Sequence, residues 1–412
     1  MKTIGEALTA LLPSFQPLSA VRLPLLEARG LHLAEALHAR WDSPAFDNSA
    51  MDGYAVRSED VACASESSPV RLPVVGESRA GGPLPEPLAP GRACRIFTGA
   101  PMPAGADAIV MQEDTHREGD VVAIRFASKA GHHVRARGSD AARGQVLLDA
   151  GQRIGPGEIG LLASQGHATV SVHRRPIVAI VSTGDELRDL GEPLGPGEIV
   201  NSNAYQLAAL VESAGGIPRI LPIAPDVVEE VEARFREALR ADVVLSTGGV
   251  SVGDYDVVQD GMKRAGIEIG FWKVAMKPGK PVAFGVAGDV PVVGLPGNPV
   301  SALVGFELFV RPGLRLMLGD PRPHPEALRV VLAHDHRRKP GRPELARARL
   351  ARGPQRIEAT LHALQGSGSL PSIAAVDALV YFPGDVATVA RGDSLLALPL
   401  GGGAGSETSP LP

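Results

Sequence analysis

Cysteine is nearly absent from this sequence. Only Cys63 and Cys94 occur in 412 residues, which excludes a disulfide framework or a cysteine-rich zinc site and leaves both as inert thiols. Aromatic residues are also scarce, at 4%, too few for the stacking platforms that lay out single-stranded bases. Positive charge is not in excess: 46 acidic residues face 41 lysines and arginines, for a net charge of -5. With no global basic field, nucleic acid is not an expected partner, and any bound anion must be held by local cations. No apolar run reaches the ~18 residues of a membrane span, so no membrane partner is expected. The opening stretch MKTIGEALTALLPSF carries Glu6 inside its apolar part and lacks a small-residue cleavage pattern, unlike a secretory leader. What remains is a cytoplasmic, multidomain globular chain, with a hydrophobic share of 44% that is ample for a core.

Glycine and proline are plentiful, 48 and 36 residues respectively, and their placement divides the chain. Residues 4–12 and 24–40 show helix-like apolar spacing, the second through Leu25, Leu26, Leu31, Leu33 and Leu37. Between about 42 and 145, short apolar runs (Val70–Val75, Ile109–Gln112, Val121–Phe126) alternate with clusters such as AGGPLPEPLAPG, the texture of strands and turns. Pro156 can open a short helix that Gly166 ends. From residue 176 the pattern becomes strand, loop, helix, repeated. A strand at Ile177–Val181 precedes a helix capped by Asn201 or Asn203 and stopped at Gly215 and Gly216. IPRILPIA is a second strand, followed by a helix over about 226–240. ADVVLSTGG is a third strand. VPVVGLPGNPVSALVGFELFVRP supplies a further strand, a turn and a long helix ending before Pro312.

Strands apolar on both faces and alternating with helices predict a parallel sheet covered on both sides. The expected architecture is therefore α/β and multidomain. Residues 1–44 and 146–175 form a mixed subdomain whose first helix packs on the α/β part, and 45–145 a β-rich subdomain. The α/β domain occupies 176–322, a β-barrel or sandwich 323–400, and 401–412 a disordered tail of Gly, Ser and Pro with nothing to bury.

Ligands of open parallel sheets sit beyond the carboxyl ends of the strands. Three polar loops take that position: STGDEL at Ser182–Leu187, STGGVSVGDYD at Ser246–Asp256 and LPGNPVS at Leu295–Ser301. Their glycines allow backbone N–H groups to converge on an anion, and a helix N-terminus adds favourable partial charge. They also carry Asp185, Glu186, Asp254 and Asp256, with Asp226 at another strand end. Phosphate-binding glycines beside carboxylates call for an intervening cation, and Mg²⁺ is the natural one because it bridges carboxylate and phosphate oxygens. Lys273, Lys277 and Lys280 cluster around a Pro-Gly turn in FWKVAMKPGKP, point charges suited to an oxyanion. None of the 11 histidines lies in these loops; His132 and His133 read as exposed turn residues.

STGDEL, STGGVSVGDYD, KPGKP and LPGNPVS, together with FDNSAMDGYAV (46–56) and IFTGAPMPAGADAIVMQED (96–114), resemble the molybdopterin molybdenumtransferase family, which includes the C-terminal domain of gephyrin. The resemblance runs in order from the N-terminus to about residue 400 and is thinnest in the C-terminal part. It implies a homodimer of four-subdomain chains, with an α/β part like the adenylyltransferase of the preceding step and an active cleft at the subunit interface. Adenylylated molybdopterin and molybdate are the implied substrates, hydrolysis with AMP release the implied reaction, and docking with other enzymes of the molybdopterin pathway a further partnership.

Carried residue by residue, the resemblance places functional acids at Asp52, Glu186, Asp226 and Asp256, with Glu186 and Asp256 on Mg²⁺. Lys273 and Lys277 hold anionic oxygens. Asp52 and Thr98 reach in from the partner subunit, as do Arg135 (or Arg137) and Asp140. Ser182, Thr183 and Gly184, then Thr247, Gly248, Gly249 and Ser251, then Pro296, Gly297, Asn298, Pro299 and Ser301 cradle substrate with Lys280. Arg347 and Ser367 match positions linked to molybdate, with Arg349 or Ser369 as alternatives. A related adenylyltransferase using ATP, and a non-catalytic gephyrin-like scaffold, are the competing readings.

Overall fold

A computed structural model describes residues 1–248, 257–271, 273–401, 405–406, 409 and 411. The chain divides into two compact units, one of residues 1–34, 151–156 and 169–412, the other of residues 35–150 and 157–168.

The first unit is built on a six-stranded sheet. Its order is Ile217–Ile220, Ile177–Ser182, Val243–Thr247, Val290–Leu295, Ala283–Ala287, Glu268–Phe271. The first four strands run parallel, as the sequence pattern predicts. Ala283–Ala287 is antiparallel to both of its neighbours, so the sheet is mixed at one edge. That hairpin turns at Gly288, which adopts φ +58, a conformation glycine reaches without a Cβ penalty. Successive residues of the central strands face opposite ways. Val178, Ile180, Val243, Leu245, Val293 and Leu295 enter one apolar cluster, whereas Ala179, Val181, Val244 and Val292 enter the other. Burial on both faces explains why these strands read as unbroken apolar runs.

Helices cover each face. Val228–Ala238 and Val257–Arg264 supply Val231, Phe235, Val258 and Met262 to one side. Ser202–Ser213 supplies Ala204, Leu207 and Val211 to the other, starting at Asn201, whose side chain accepts from the Ala204 N–H. The N-terminal helix Ile4–Leu11 joins that same side, burying Ile4, Ala7, Leu8 and Leu11 at the spacing of one helix face. Thr3 and Glu6 close its first turn reciprocally as a capping box. The helix after the last parallel strand does not end before Pro312. Residues Pro299–Gly305 are α-helical, Phe306–Val310 form a π-helical turn, and Arg311–Met317 continue as α-helix. The wider turn relieves the carbonyl that a proline ring would otherwise strike.

Residues Leu328–Leu332, Ile357–Leu361, Glu344–Arg352, Ala378–Phe382 and Ser394–Pro399 close into a barrel. Its interior mixes Ala346, Ala348, Ala359, Ala378 and Ala397 with Val330, Leu332, Val380 and Phe382, the small residues that a five-stranded barrel can hold. Part of the tail is placed, against expectation: Gly405–Ser406 pair with His324–Pro325, and Leu411 is buried.

The second unit holds a six-stranded sheet in the order Ala108–Met111, Gly53–Val56, Ala93–Ile96, Val70–Ser78, Val121–Ile124, Thr115–Glu118. Gly53 is obligatory there, because a Cβ would fall 2.0 Å from the Val110 carbonyl oxygen. Burial pushes the Cys94 thiol up to about 11, which keeps it unreactive. The helix-like spacing at 24–40 does not become a helix. Ala20–Pro24 is a strand paired with Thr169–His173, and Leu37–His38 pairs with Val146–Leu148. Gly30 at φ +85 turns the chain between them, and Leu31, Leu33 and Leu37 are buried from irregular or extended backbone. The helix Pro156–Ser164 forms, with Gly166 at φ +69 just beyond it.

Candidate functional site

The carboxyl ends of three parallel strands carry the polar loops, and the structure brings these loops together. A cavity of about 440 Å³ is lined by Thr183 and Glu186 from the first, Thr247 and Gly248 from the second, and Gly297, Asn298 and Pro299 from the third. The approach is close. At Gly248, with φ +91, a Cβ would fall 2.9 Å from the Thr183 carbonyl oxygen, and at Gly297 it would meet the Gly248 Cα at 3.6 Å.

Asn203 ties two of the loops. Its Nδ2 donates to Thr247 Oγ1 at 2.8 Å and to the Gly297 carbonyl at 2.7 Å. The sequence marked this residue only as a possible helix cap; its burial and cross-loop bonds belong to the tertiary fold. Ser182 donates at 3.2 Å to Oδ1 of Asn201, which lines the cavity as Ser182 itself does not. Thr183 Oγ1 and Asn203 Oδ1 are buried without a hydrogen-bond partner among the described residues. Buried polar atoms rarely stay unpaired, and both residues line the cavity.

Asp185, Glu186 and Asp226 gather at the same end of the sheet. The Asp226 N–H donates to Asp185 Oδ1 at 3.0 Å. Partial burial, with the charges of Asp185 and Glu186, pushes the Asp226 carboxyl above its ordinary value. Gly249, Ser251, Asp254 and Asp256 lie outside the described residues. Among the described residues no group of three or more His, Cys, Asp or Glu is arranged to hold a metal ion. The side chains present are nevertheless oxygen donors carrying mutual repulsion, which suits a hard cation.

Lys277, Lys280, Ser301, Glu344, Gln365 and Ser367 line a second cavity, of about 460 Å³, and Asn298 lines both. Glu344 accepts from Lys277 Nζ at 2.9 Å and from Arg338 Nε at 3.0 Å. Burial pushes its carboxyl up, but these two cations more than reverse the effect and hold it below the ordinary range. No motif or spacing singles out Glu344, which sits among barrel residues. Lys273 lines neither cavity; its carbonyl accepts from the Lys2 N–H at 3.3 Å.

Between Arg347 and Arg349 the structure draws a sharp contrast. Arg349 is exposed and donates to the Ala375 carbonyl. Arg347 is 1% exposed. Its backbone N–H donates to Gln365 Oε1, its Nη2 donates to the Leu364 carbonyl at 2.9 Å, and its Nε and Nη1 have no partner among the described residues. Burial lowers its pKa, opposed by Glu344. Ser367 faces the second cavity, and its carbonyl accepts from the Val300 N–H at 3.1 Å, so one amide of that helix start is already engaged. Ser369 is tied instead into the turn that holds Ser372.

In the other unit Asp52 and Thr98 form a pair. Asp52 Oδ1 accepts from the Thr98 N–H and hydroxyl, each at 2.7 Å, and these bonds hold the carboxyl below its usual range. Arg137 is engaged by Asp42 and Asp47, whereas Arg135 is exposed, on a short strand paired with Asn48–Ser49. Asp140 is exposed, with its N–H on the Ser43 carbonyl.

Residues 2–166 match the MoeA N-terminal region (domain I and II), 179–316 a probable molybdopterin binding domain, and 329–400 the MoeA C-terminal region (domain IV). Molybdopterin molybdenumtransferase 2 of Mycobacterium tuberculosis is 40% identical over 403 residues, covering 96% of this chain and 98% of that protein. The chain belongs to the molybdopterin molybdenumtransferase family. A family member from Nostoc is 39% identical over 91% of this chain and 88% of its own length. The molybdopterin biosynthesis protein MoeA from Pyrococcus horikoshii superposes with a TM-score of 0.84 at 31% identity, covering 97% of this chain and all of that one. No helix among the described residues is long and apolar enough to cross a membrane.

Proposed function

We propose that the protein is a transferase that inserts molybdenum into molybdopterin, taking adenylylated molybdopterin and molybdate and releasing AMP. One observation carries this: three sheet-edge loops converge on a single cavity that shares Asn298 with a second cavity lined by Lys277 and Lys280. The first suits the pterin and its phosphates. Its glycines admit close backbone approach, and the Thr183 hydroxyl and Asn203 carbonyl, without partners among the described residues, offer bonds to ligand. The second suits molybdate, a tetrahedral dianion that needs cations and hydroxyl donors. Lys277 and Ser367 supply them, and the buried Arg347, bonded through its backbone N–H to the cavity-lining Gln365, has two guanidinium nitrogens without a partner among the described residues. A buried cation left uncompensated is costly, which favours a ligand-binding role over a purely structural scaffold.

Glu186 and Asp256, with Asp226 in support, hold Mg²⁺, which when bound neutralises the phosphates of the scissile pyrophosphate. Lys277 orients anionic oxygens and Glu344 restrains Lys277 at the cavity edge. Asn203 keeps the second and third loops at fixed spacing. Water divides the phosphoanhydride so that AMP leaves with one phosphate and molybdopterin keeps the other. Asp52 and Thr98, with Arg135 and Asp140, complete the cleft from a second subunit of a homodimer. The test is direct: purified protein given adenylylated molybdopterin, Mg²⁺ and molybdate should release AMP in step with molybdenum incorporation. No AMP release defeats the proposal, and ATP consumption with bare molybdopterin would point to the adenylyltransferase reaction instead.

A further inference from the structure

A third cavity, of about 230 Å³, lies in the first unit beside the carboxyl end of the helix Ser202–Ser213. Arginines dominate its lining: Arg29, Arg153, Arg175, Arg311 and Arg315, with Glu212 as the opposing carboxylate. Two of the five are neutralised. Arg311, 1% exposed, is gripped by Glu307 through bonds of 2.6 and 2.8 Å and donates to Ser213 Oγ at 3.0 Å. Arg315 is paired with Asp320 at 2.9 Å. Arg29, Arg153 and Arg175 have no ion pair among the described residues; Arg153 donates only to the Gly30 carbonyl, at 3.3 Å. Three cations against Glu212 leave the cavity with two positive charges in excess. His32, buried in the same wall, has its Nε2 3.7 Å from Asp320 Oδ2 and its Nδ1 unpartnered among the described residues.

From this we infer that the cavity is a second anion site, built for a phosphate-type dianion and separate from the substrate cavities. Several guanidinium forks around one small space match the oxygen array of a tetrahedral oxyanion better than point charges do. Size narrows the class: small-molecule sites usually run to ~300 Å³ and above, so a whole nucleotide does not fit inside. Free phosphate fits, as does the terminal phosphate of a molecule whose remainder stays in solvent. The helix carboxyl end, about half a negative charge, and Glu212 offset only part of the charge of these three exposed arginines, which have no ion pair among the described residues.

Inorganic phosphate and AMP, titrated separately by calorimetry at low ionic strength into the full-length protein, test this. Wild type should bind phosphate at a component that Arg153→Ala/Arg175→Ala weakens at least tenfold and Lys277→Ala leaves in place. Added salt should weaken it as well. Phosphate bound at that component without AMP identifies the free ion; AMP bound there as well, and lost with it in Arg153→Ala/Arg175→Ala, identifies a phosphate terminus. Should the double alanine variant not fold, Arg153→Lys/Arg175→Lys keeps the charge but loses the fork, and weakened binding there supports the site equally. Equal phosphate affinity in wild type and the folded double variant overturns the inference, as does absence of binding by wild type.

Discussion

Replacing Asn203 with alanine probes the convergence of the loops most directly. The amide makes two hydrogen bonds, to Thr247 Oγ1 and to the Gly297 carbonyl, and a net ~0.5–1.5 kcal/mol for each gives a destabilisation of roughly 1–3 kcal/mol. The Thr247 hydroxyl can turn toward another acceptor, whereas the Gly297 carbonyl has no rotor and loses its donor, so the loss should fall toward the upper part of that range. Function should suffer separately. Asn203 Oδ1 is buried, unpartnered among the described residues and on the cavity wall, and losing one such bond to ligand raises KM by roughly two- to tenfold. Urea denaturation followed by far-UV circular dichroism measures the first effect, and initial rates of AMP release against pterin concentration measure the second. Asn203→Asp sharpens the test, because it keeps the size but sets a carboxylate against the Gly297 carbonyl and should be worse than alanine. If Asn203→Ala changes neither stability nor KM, the loops are not held by this residue and the reasoning fails.

Glu186→Gln should abolish AMP release while the circular dichroism spectrum stays native; full turnover would remove Glu186 from the phosphate site. Gly248→Ala should lower activity and stability together. Its φ of +91 costs an L-residue ~1–2 kcal/mol, and the added methyl meets the Thr183 carbonyl at 2.9 Å, so wild-type kinetics from a stable variant would contradict the described loop. Asp226→Asn should stabilise the fold at neutral pH. The carboxyl is raised in the folded state, so wild type loses stability as pH climbs from the ordinary carboxylate value through the raised one, and the variant does not. Denaturation midpoints that differ equally at pH 3 and pH 7 would refute this. Lys277→Ala should weaken molybdate binding by an amount that shrinks with added salt; Arg338 still pairs with the buried Glu344, so the variant should stay folded with only a modest fall in its thermal midpoint.

Much of this arrangement was legible in the sequence because glycine and apolar alternation act locally. Ile177–Ser182 and Val243–Thr247 announce themselves as strands buried on both sides, and the loops that follow them fall where a parallel sheet puts ligands. The contributions of Asn203 and Glu344 were not legible, because each acts across a distance in sequence that no spacing encodes. The apparent helix at 24–40 failed for a related reason. Leu31, Leu33 and Leu37 are buried by packing from extended and turning backbone while Leu26 is exposed, so the spacing only mimicked a helical period. Pro312 read as a terminator because the rule for proline assumes an α-helical register, which the π-helical turn at Phe306–Val310 suspends.

The route of the chain through its two units bears on biosynthesis. Residues 1–34 belong to the same unit as residues 169–412, and the helix Ile4–Leu11 and Phe15 are buried with Phe309 and Leu314. At ~5–20 residues added per second, this segment waits tens of seconds on the ribosome before those partners exist. Through that interval its apolar face has no native home, so a slow-translating or truncated message would leave a sticky amphipathic helix exposed, and chaperone dependence of this protein should be greatest during synthesis.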